Sequence, residues 1–274
     1  MISNIFTIFI IILFLWLFVE IFRKTNTKKI AFLFLIYDGI NNEDLWNDFF
    51  KKADKNKYNI YIHYKTKKPL KYFEEYKIKN CIDTKYADKS LIHAQNLLYK
   101  TAYEEDSSNY KFVLVSGACI PVKSFDYIYD FLTENNKSYI TTSSNNERFP
   151  NCNPLLKYNI PDKYITKGHQ WTILNRNLVS KLAYEDKNVI DVLFQNIYAP
   201  EEVYYPTFVK IHGLEKEIVF TSDSEEFKQT TYTHWYKDKG VLHNFDMITV
   251  DMYNKLANAT CLFARKFNKD CKVV

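Results

Sequence analysis

Lys29–Ile36 (KIAFLFLI) is short, almost continuously apolar, and stops at Tyr37-Asp38-Gly39. A strand with one wet face would alternate, so this run predicts a strand covered on both faces, as in parallel sheets. Downstream, Asn42–Ala53 sets Leu45, Trp46, Phe49 and Phe50 at helical spacing, with Asn41 or Asn42 as its cap. Tyr58–Tyr64 (YNIYIHY) then alternates as a second strand. Strand, helix, strand is the opening of a doubly wound parallel sheet. The pattern continues with an amphipathic helix at Ser90–Ala102, a strand at Lys111–Ser116 ending in Gly117, a helix near Phe125–Leu132 and a strand at Ser138–Thr142. Ser143–Asp162, rich in Asn and Pro, reads as a loop. The expectation is one α/β domain over residues 29–274, a mostly parallel sheet flanked by helices. Ligands bind such sheets at the carboxyl ends of the strands, here after Ile36, Tyr64 and Ser116.

Upstream, Ile5–Phe22 (IFTIFIIILFLWLFVEIF) carries one ionisable residue, Glu20. As a helix it is roughly 27 Å long, close to the thickness of a hydrocarbon core. It lacks the basic start and the small-residue cleavage site of a signal peptide. Residues 1–22 therefore read as a transmembrane signal anchor and 23–28 as a short linker. Arg23, Lys24, Lys28 and Lys29 follow the run, and the positive-inside rule then favours a cytosolic C-terminal domain. The sequons Asn136-Lys137-Ser138 and Asn258-Ala259-Thr260 are usable only in a lumen.

The 274 residues are 47% hydrophobic and carry a formal charge of +5 that is spread along the chain, which supports one substantial core and gives no nucleic-acid footprint. Cys81, Cys119, Cys152, Cys261 and Cys271 form no CxxC pair and no zinc-type spacing, so no structural metal is expected. Cys119, in an apolar segment, reads as a small buried hydrophobe.

Several segments, in order, resemble the core-2/I-branching β-1,6-N-acetylglucosaminyltransferases (glycosyltransferase family 14), closest to the plant-type members. KIAFLFL with LWNDFF resembles the family's first strand and helix, and NIYIHY its strand ending in His. FVLVSGACIPVKSFDYIYDFL resembles its strand-turn-helix, KGHQWTILNR its KGSQW turn, APEEVYYPT its xP[DE]E helix start, and CLFARKF its closing motif. The resemblance implies a GT-A-like fold, a short N-terminal anchor facing a Golgi or ER lumen, and an inverting, metal-independent transfer. The donor would be a UDP-sugar, with GlcNAc favoured, and the acceptor a glycan or glycoprotein hydroxyl.

An inverting transfer needs a base for the acceptor hydroxyl and positive charge for the leaving diphosphate. By resemblance Glu202 is the base, with Glu201 as its neighbour. Pro200 suits the first helical position, which puts both carboxylates in a first turn whose dipole favours anions. Lys266 falls on the family's diphosphate-binding lysine, and Arg265 is the other candidate. The metal-holding acidic triplet of most GT-A enzymes is replaced by Ser116-Gly117-Ala118-Cys119, and Asp223-Ser224-Glu225 reads as solvated loop. Ile36, Tyr37 and His63 are expected at the donor nucleotide, although Tyr64-Lys65 replaces the acidic-basic pair of many relatives. Lys239 or His243 would supply the second diphosphate cation. Trp235, Glu147 and Arg148 are the candidate acceptor contacts, while Trp171 reads as a core residue. The competing reading is a non-catalytic, membrane-tethered glycan- or nucleotide-binding protein with a degenerate glycosyltransferase fold. A purely structural membrane protein would explain the anchor and none of the ordered motifs.

Overall fold

The computed structural model describes residues 11–12, 27–143, 152–225, 227–236 and 241–273. Apart from Ile11 and Ile12, the proposed anchor lies outside them, and no helix among the described residues is long and apolar enough to cross a membrane.

The N-terminal half follows the hydrophobic pattern closely. Strand β1 (Lys29–Ile36) leads to helix α1 (Glu43–Lys51), β2 (Tyr58–Tyr64), α2 (Ser90–Glu105), β3 (Asn109–Ser116) and the short β4 (Ile120–Pro121). Helix α3 (Phe125–Thr133) and β5 (Ser138–Thr142) follow. The region expected to be loop contains a short helix, α4 (Asn153–Leu156), because Pro154 suits a first helical turn and Leu155 is buried in the core. Next come β6 (Ile173–Asn175), α5 (Arg176–Leu182), α6 (Lys187–Phe194), α7 (Glu201–Ile211) and β7 (Ile218–Ser222). The C-terminal part adds β8 (Thr231–Thr233), β9 (Trp235–Tyr236), β10 (Val241–Leu242), β11 (Phe245–Ile248), α8 (Val250–Asn258), β12 (Phe263–Arg265) and β13 (Phe267–Val273).

The main sheet has the order β2-β1-β3-β6-β5-β7. β1 pairs in parallel with both β2 and β3, and β5 with β7, while β6 runs antiparallel to its neighbours β3 and β5. The sheet is therefore mostly parallel, as expected, with one reversed strand. Alternation along β1 explains its unbroken apolar run. Ile30, Phe32, Phe34 and Ile36 enter an aromatic core with Trp46, Phe49, Phe50 and Phe125. Ala31 and Leu33 enter the opposite core with Leu98, Tyr99, Phe112 and Tyr204. A third, smaller core around Tyr232, Phe245 and Phe267 holds the C-terminal strands. Within it β12 pairs with β4 and β8, which ties the closing motif to the turn after β3.

Asn42 occupies the N-cap position of α1, but neither its side chain nor that of Asn41 makes a capping bond. Their amides instead donate to the Phe267 and Asn268 carbonyls, at 2.7 and 3.3 Å, and fasten the helix start to β13. Cys119 is fully buried, and all five cysteines are free thiols.

Candidate active site

A cleft of about 400 Å³ opens at the carboxyl ends of β1 and β3. Its floor is made by the turns after those strands, which pack tightly. A Cβ on Gly117 would fall 2.2 Å from the Gly39 carbonyl oxygen, so only glycine lets the two turns meet. The Asn41 N–H donates to the Gly117 carbonyl at 2.7 Å and closes the same contact. Ile36 and Tyr37 line the cleft, as the strand-end argument predicted, together with Asp38 and Lys65. The Lys65 ammonium lies 5.4 Å from the centre of the Tyr37 ring.

One wall belongs to α7. Pro200 occupies the cap position rather than the first helical position, and Glu201 and Glu202 open the first turn. Pro206, inside the helix, has no N–H to give the carbonyl four residues earlier, which is that of Glu202. The Gly168 N–H takes that carbonyl instead, at 2.7 Å. A Cβ on Gly168 would fall 2.6 Å from the Thr141 carbonyl oxygen, so the docking requires glycine there as well. Segment 166–170 is thereby fixed between α7 and β5, and the His169 N–H donates to the Thr141 carbonyl at 2.7 Å. From this segment Lys167 reaches the Glu202 carboxylate at 3.2 Å, and Gln170 and Trp171 enter the cleft lining.

The opposing charge comes from the end of β12. Arg265 and Lys266 both line the cleft. The Arg265 guanidinium sits 4.2 Å above the Trp171 ring, so Trp171 is a cleft residue and not merely core packing. Burial lowers the proton affinity of Arg265, opposed by Cys119, Glu202 and Tyr86, while burial and then Arg265 lower that of Lys266. Glu202 is thus close enough for its charge to act on a cleft cation. Glu201 itself lines the cleft and is only 6% exposed. Burial pushes its carboxyl up to about 7, helped by the charges of Glu202 and Asp88 and opposed by its own backbone N–H and Lys167. Burial likewise pushes His169 down to about 4.

Polar saturation is incomplete here. Glu201 Oε2, Arg265 Nε and His169 Nδ1 are buried without a protein hydrogen-bond partner. Buried polar atoms are normally paired, and exceptions are expected where a ligand completes them. Among the described residues, no group of three or more His, Cys, Asp or Glu could hold a metal ion.

The structure gathers Ile36, Tyr37, Glu201, Arg265 and Lys266 into one lining, whereas Glu202, the next residue on α7, is not part of that lining and pairs with Lys167. His63 is a correction. It is fully buried, its Nε2 accepts the Ile82 N–H at 3.1 Å, and burial pushes it down to about 4, so it holds the following loop and does not face the donor. His243 is another, because it packs against His234 and Phe245 in a separate depression with Tyr232 and Met252. Trp235 is exposed on β9, paired with Leu242, and is not part of this cleft's lining. Lys239, Glu147 and Arg148 lie outside the described residues.

Sequence reading missed the segment before α2, which contributes Thr84, Lys85 and Tyr86 to the rim. The Tyr86 and Tyr198 rings lie 6.5 Å apart, edge to face. Beside them Ala87 and Ala199 adopt left-handed backbone, φ 54° and 49°, and the Ala199 N–H donates to the Ala87 carbonyl at 3.2 Å. No apolar period runs through such a loop, and its left-handed position is an alanine rather than a glycine or asparagine.

A family model described as Core-2/I-Branching enzyme matches residues 30–257. The chain belongs to this family. Glycosyltransferase BC10 of Oryza sativa subsp. japonica is 23% identical over 225 residues, covering 70% of this chain and 56% of its own length. The chain thus spans little more than half of that relative. Two solved structures are similar at lower identity. One is a glycosyltransferase involved in the glycosylation of the major capsid of PBCV-1, with TM-score 0.43 and 9% identity over 86% of this chain and 92% of that one. The other is the WbbM bifunctional glycosyltransferase, with TM-score 0.42 and 13% identity over 86% of this chain and 45% of that one.

Proposed function

We propose that this Core-2/I-Branching family member is an inverting, metal-independent glycosyltransferase that moves a sugar, GlcNAc favoured, from a UDP-sugar to a glycan hydroxyl. In this reading the acceptor oxygen attacks the anomeric carbon as Glu202 takes its proton, and the bond from that carbon to the diphosphate oxygen breaks. Lys266, with Arg265 beside it, meets the charge that builds on the departing diphosphate, the task a metal ion performs in other transferases. One observation supports this above the rest. The two cations line a single cleft with Glu201, in the first turn of the helix that also bears Glu202. Lys167, 3.2 Å away, orients the Glu202 carboxylate. Ile36 and Tyr37 at the strand ends are suited to the nucleotide base, and Trp235 remains the proposed acceptor platform.

The test is transfer and hydrolysis of a panel of UDP-sugars by the full chain in EDTA. Glu202→Gln should lower turnover by about 10²- to 10⁴-fold, the range for loss of a general base. Equal turnover in the two proteins would remove Glu202 from the role, and loss of wild-type activity in EDTA would remove the metal-free mechanism. Nucleotide-sugar binding with no turnover of any donor would favour the non-catalytic reading.

The Ile5–Phe22 run serves in this reading as a single-pass anchor. Asn136 and Asn258 are both exposed and so open to glycosylation. A glycosidase-sensitive mass shift at either would place the domain in a lumen, and its absence with membrane retention would favour the cytosolic side.

A further inference from the structure

Glu201 and Glu202 are consecutive, yet the fold treats them differently. Glu202 is part-exposed and paired with Lys167, whereas Glu201 is buried in the cleft lining with Oε2 lacking any protein partner. An anion at that position would face the like charges of Glu202 on its own helix and Asp88 from the segment before α2, opposed by Lys167. Tyr86 on the rim feels both glutamates. Arg265 and Lys266 line the same cleft. A second anion in the cleft lined by those cations would repel a diphosphate donor. A neutral carboxyl would instead present one O–H donor and an acceptor oxygen, the pairing that a sugar hydroxyl or acyl oxygen can complete.

We infer that Glu201 binds the transferred sugar as a neutral carboxylic acid, donating its O–H to an oxygen of that sugar while Glu202 alone acts as the anion. The inference rests on the glycosyltransferase reading and adds to it a residue that selects the donor sugar. No bond to carbon is made or broken by Glu201. Its proton stays on the carboxyl through turnover.

The sign of the pH effect follows. The carboxyl keeps its proton below about 7 and loses it above, so donor binding is tight on the acid side and weakens as pH rises through that value. The experiment measures kcat and donor KM with UDP-GlcNAc from about pH 6 to about pH 8 for the full-length wild type, Glu201→Gln and Glu201→Ala. In wild type the donor KM should rise across that interval. Glu201→Gln, which keeps an N–H donor and cannot ionise, should flatten the rise. Glu201→Ala should raise donor KM roughly tenfold at the acid end, as loss of one hydrogen bond to a buried partner does. A flat wild-type KM would overturn the inference and leave Glu202 as the base. Abolished kcat in Glu201→Gln, with turnover surviving in Glu202→Gln, would overturn both and make Glu201 the base. Infrared difference spectra need no turnover. A protonated-carboxyl band that shifts on adding UDP-GlcNAc and is missing from Glu201→Gln supports the inference, and no such band at the acid end sinks it.

Discussion

The two ends of the main sheet are built on opposite terms. At the amino ends of the strands Lys29 pairs with Asp106 at 2.8 Å, and Asn59 donates to both Asp106 and Asn109 at 2.9 Å. Arg176 donates to the carbonyls of Tyr103, Asp106 and Asn109 and lies over the Tyr103 ring. At the carboxyl ends, Glu201, Arg265 and His169 each keep a buried polar atom without a protein partner. The first end is closed and contributes stability, while the second keeps buried polar atoms unpaired, an arrangement in which preorganised sites gain electrostatic strength.

Breaking the closed end should have the largest effect on folding. Asp106→Ala leaves Lys29, Asn59 and the Ser108 N–H without their shared acceptor. It should cost about 3 kcal/mol in denaturant unfolding, since hydrogen bonds to charged groups contribute about 1.5–3 kcal/mol each before relaxation. The joint at the carboxyl end comes next. Gly168→Ala puts a Cβ against the Thr141 carbonyl and should cost about 1–3 kcal/mol, with a fall in kcat as α7 shifts. The smallest effect separates the ends by pH. Asp106 is driven down to about 2, where burial alone would raise it, because Lys29, Asn59 and the Ser108 N–H hold its anion. Its folded pKa lies below the unfolded one, so its contribution is present above the ordinary value of 3.8 and lost as pH falls towards 2. Glu201, raised from 4.5 to about 7, has the reverse sign: its contribution is present below 4.5 and is lost as pH rises from there through about 7. Glu201→Gln should therefore melt higher than wild type at about pH 8, by on the order of 2–4 °C, and coincide with it near pH 4.

Legibility divides along the same line. Strands β1, β2 and β5 coincide with the segments read from hydrophobic pattern, because burial in the sheet leaves an apolar run or alternation of strand length that sequence records. The paired strands β9 and β10 are two residues each, too short to carry any period. At the site, Ile36, Tyr37, Arg265 and Lys266 were legible from strand ends and from the ordered motifs. His63 was misjudged because a strand-end position does not say which face the pleat turns inward, and here Nε2 turns to the Ile82 N–H. Tyr86 and Tyr198 were missed because their placement rests on left-handed alanines, which side-chain chemistry does not announce. The division of labour between Glu201 and Glu202 depends on burial and on Lys167, which motif order does not record.

Pro206 and Gly168 are distant along the chain but act as a single character. Replacing the proline would return an N–H that competes for the Glu202 carbonyl, leaving the glycine's own N–H stranded. A change at either position alone would loosen the joint, so one residue's missing donor and the other's missing side chain serve a single bond.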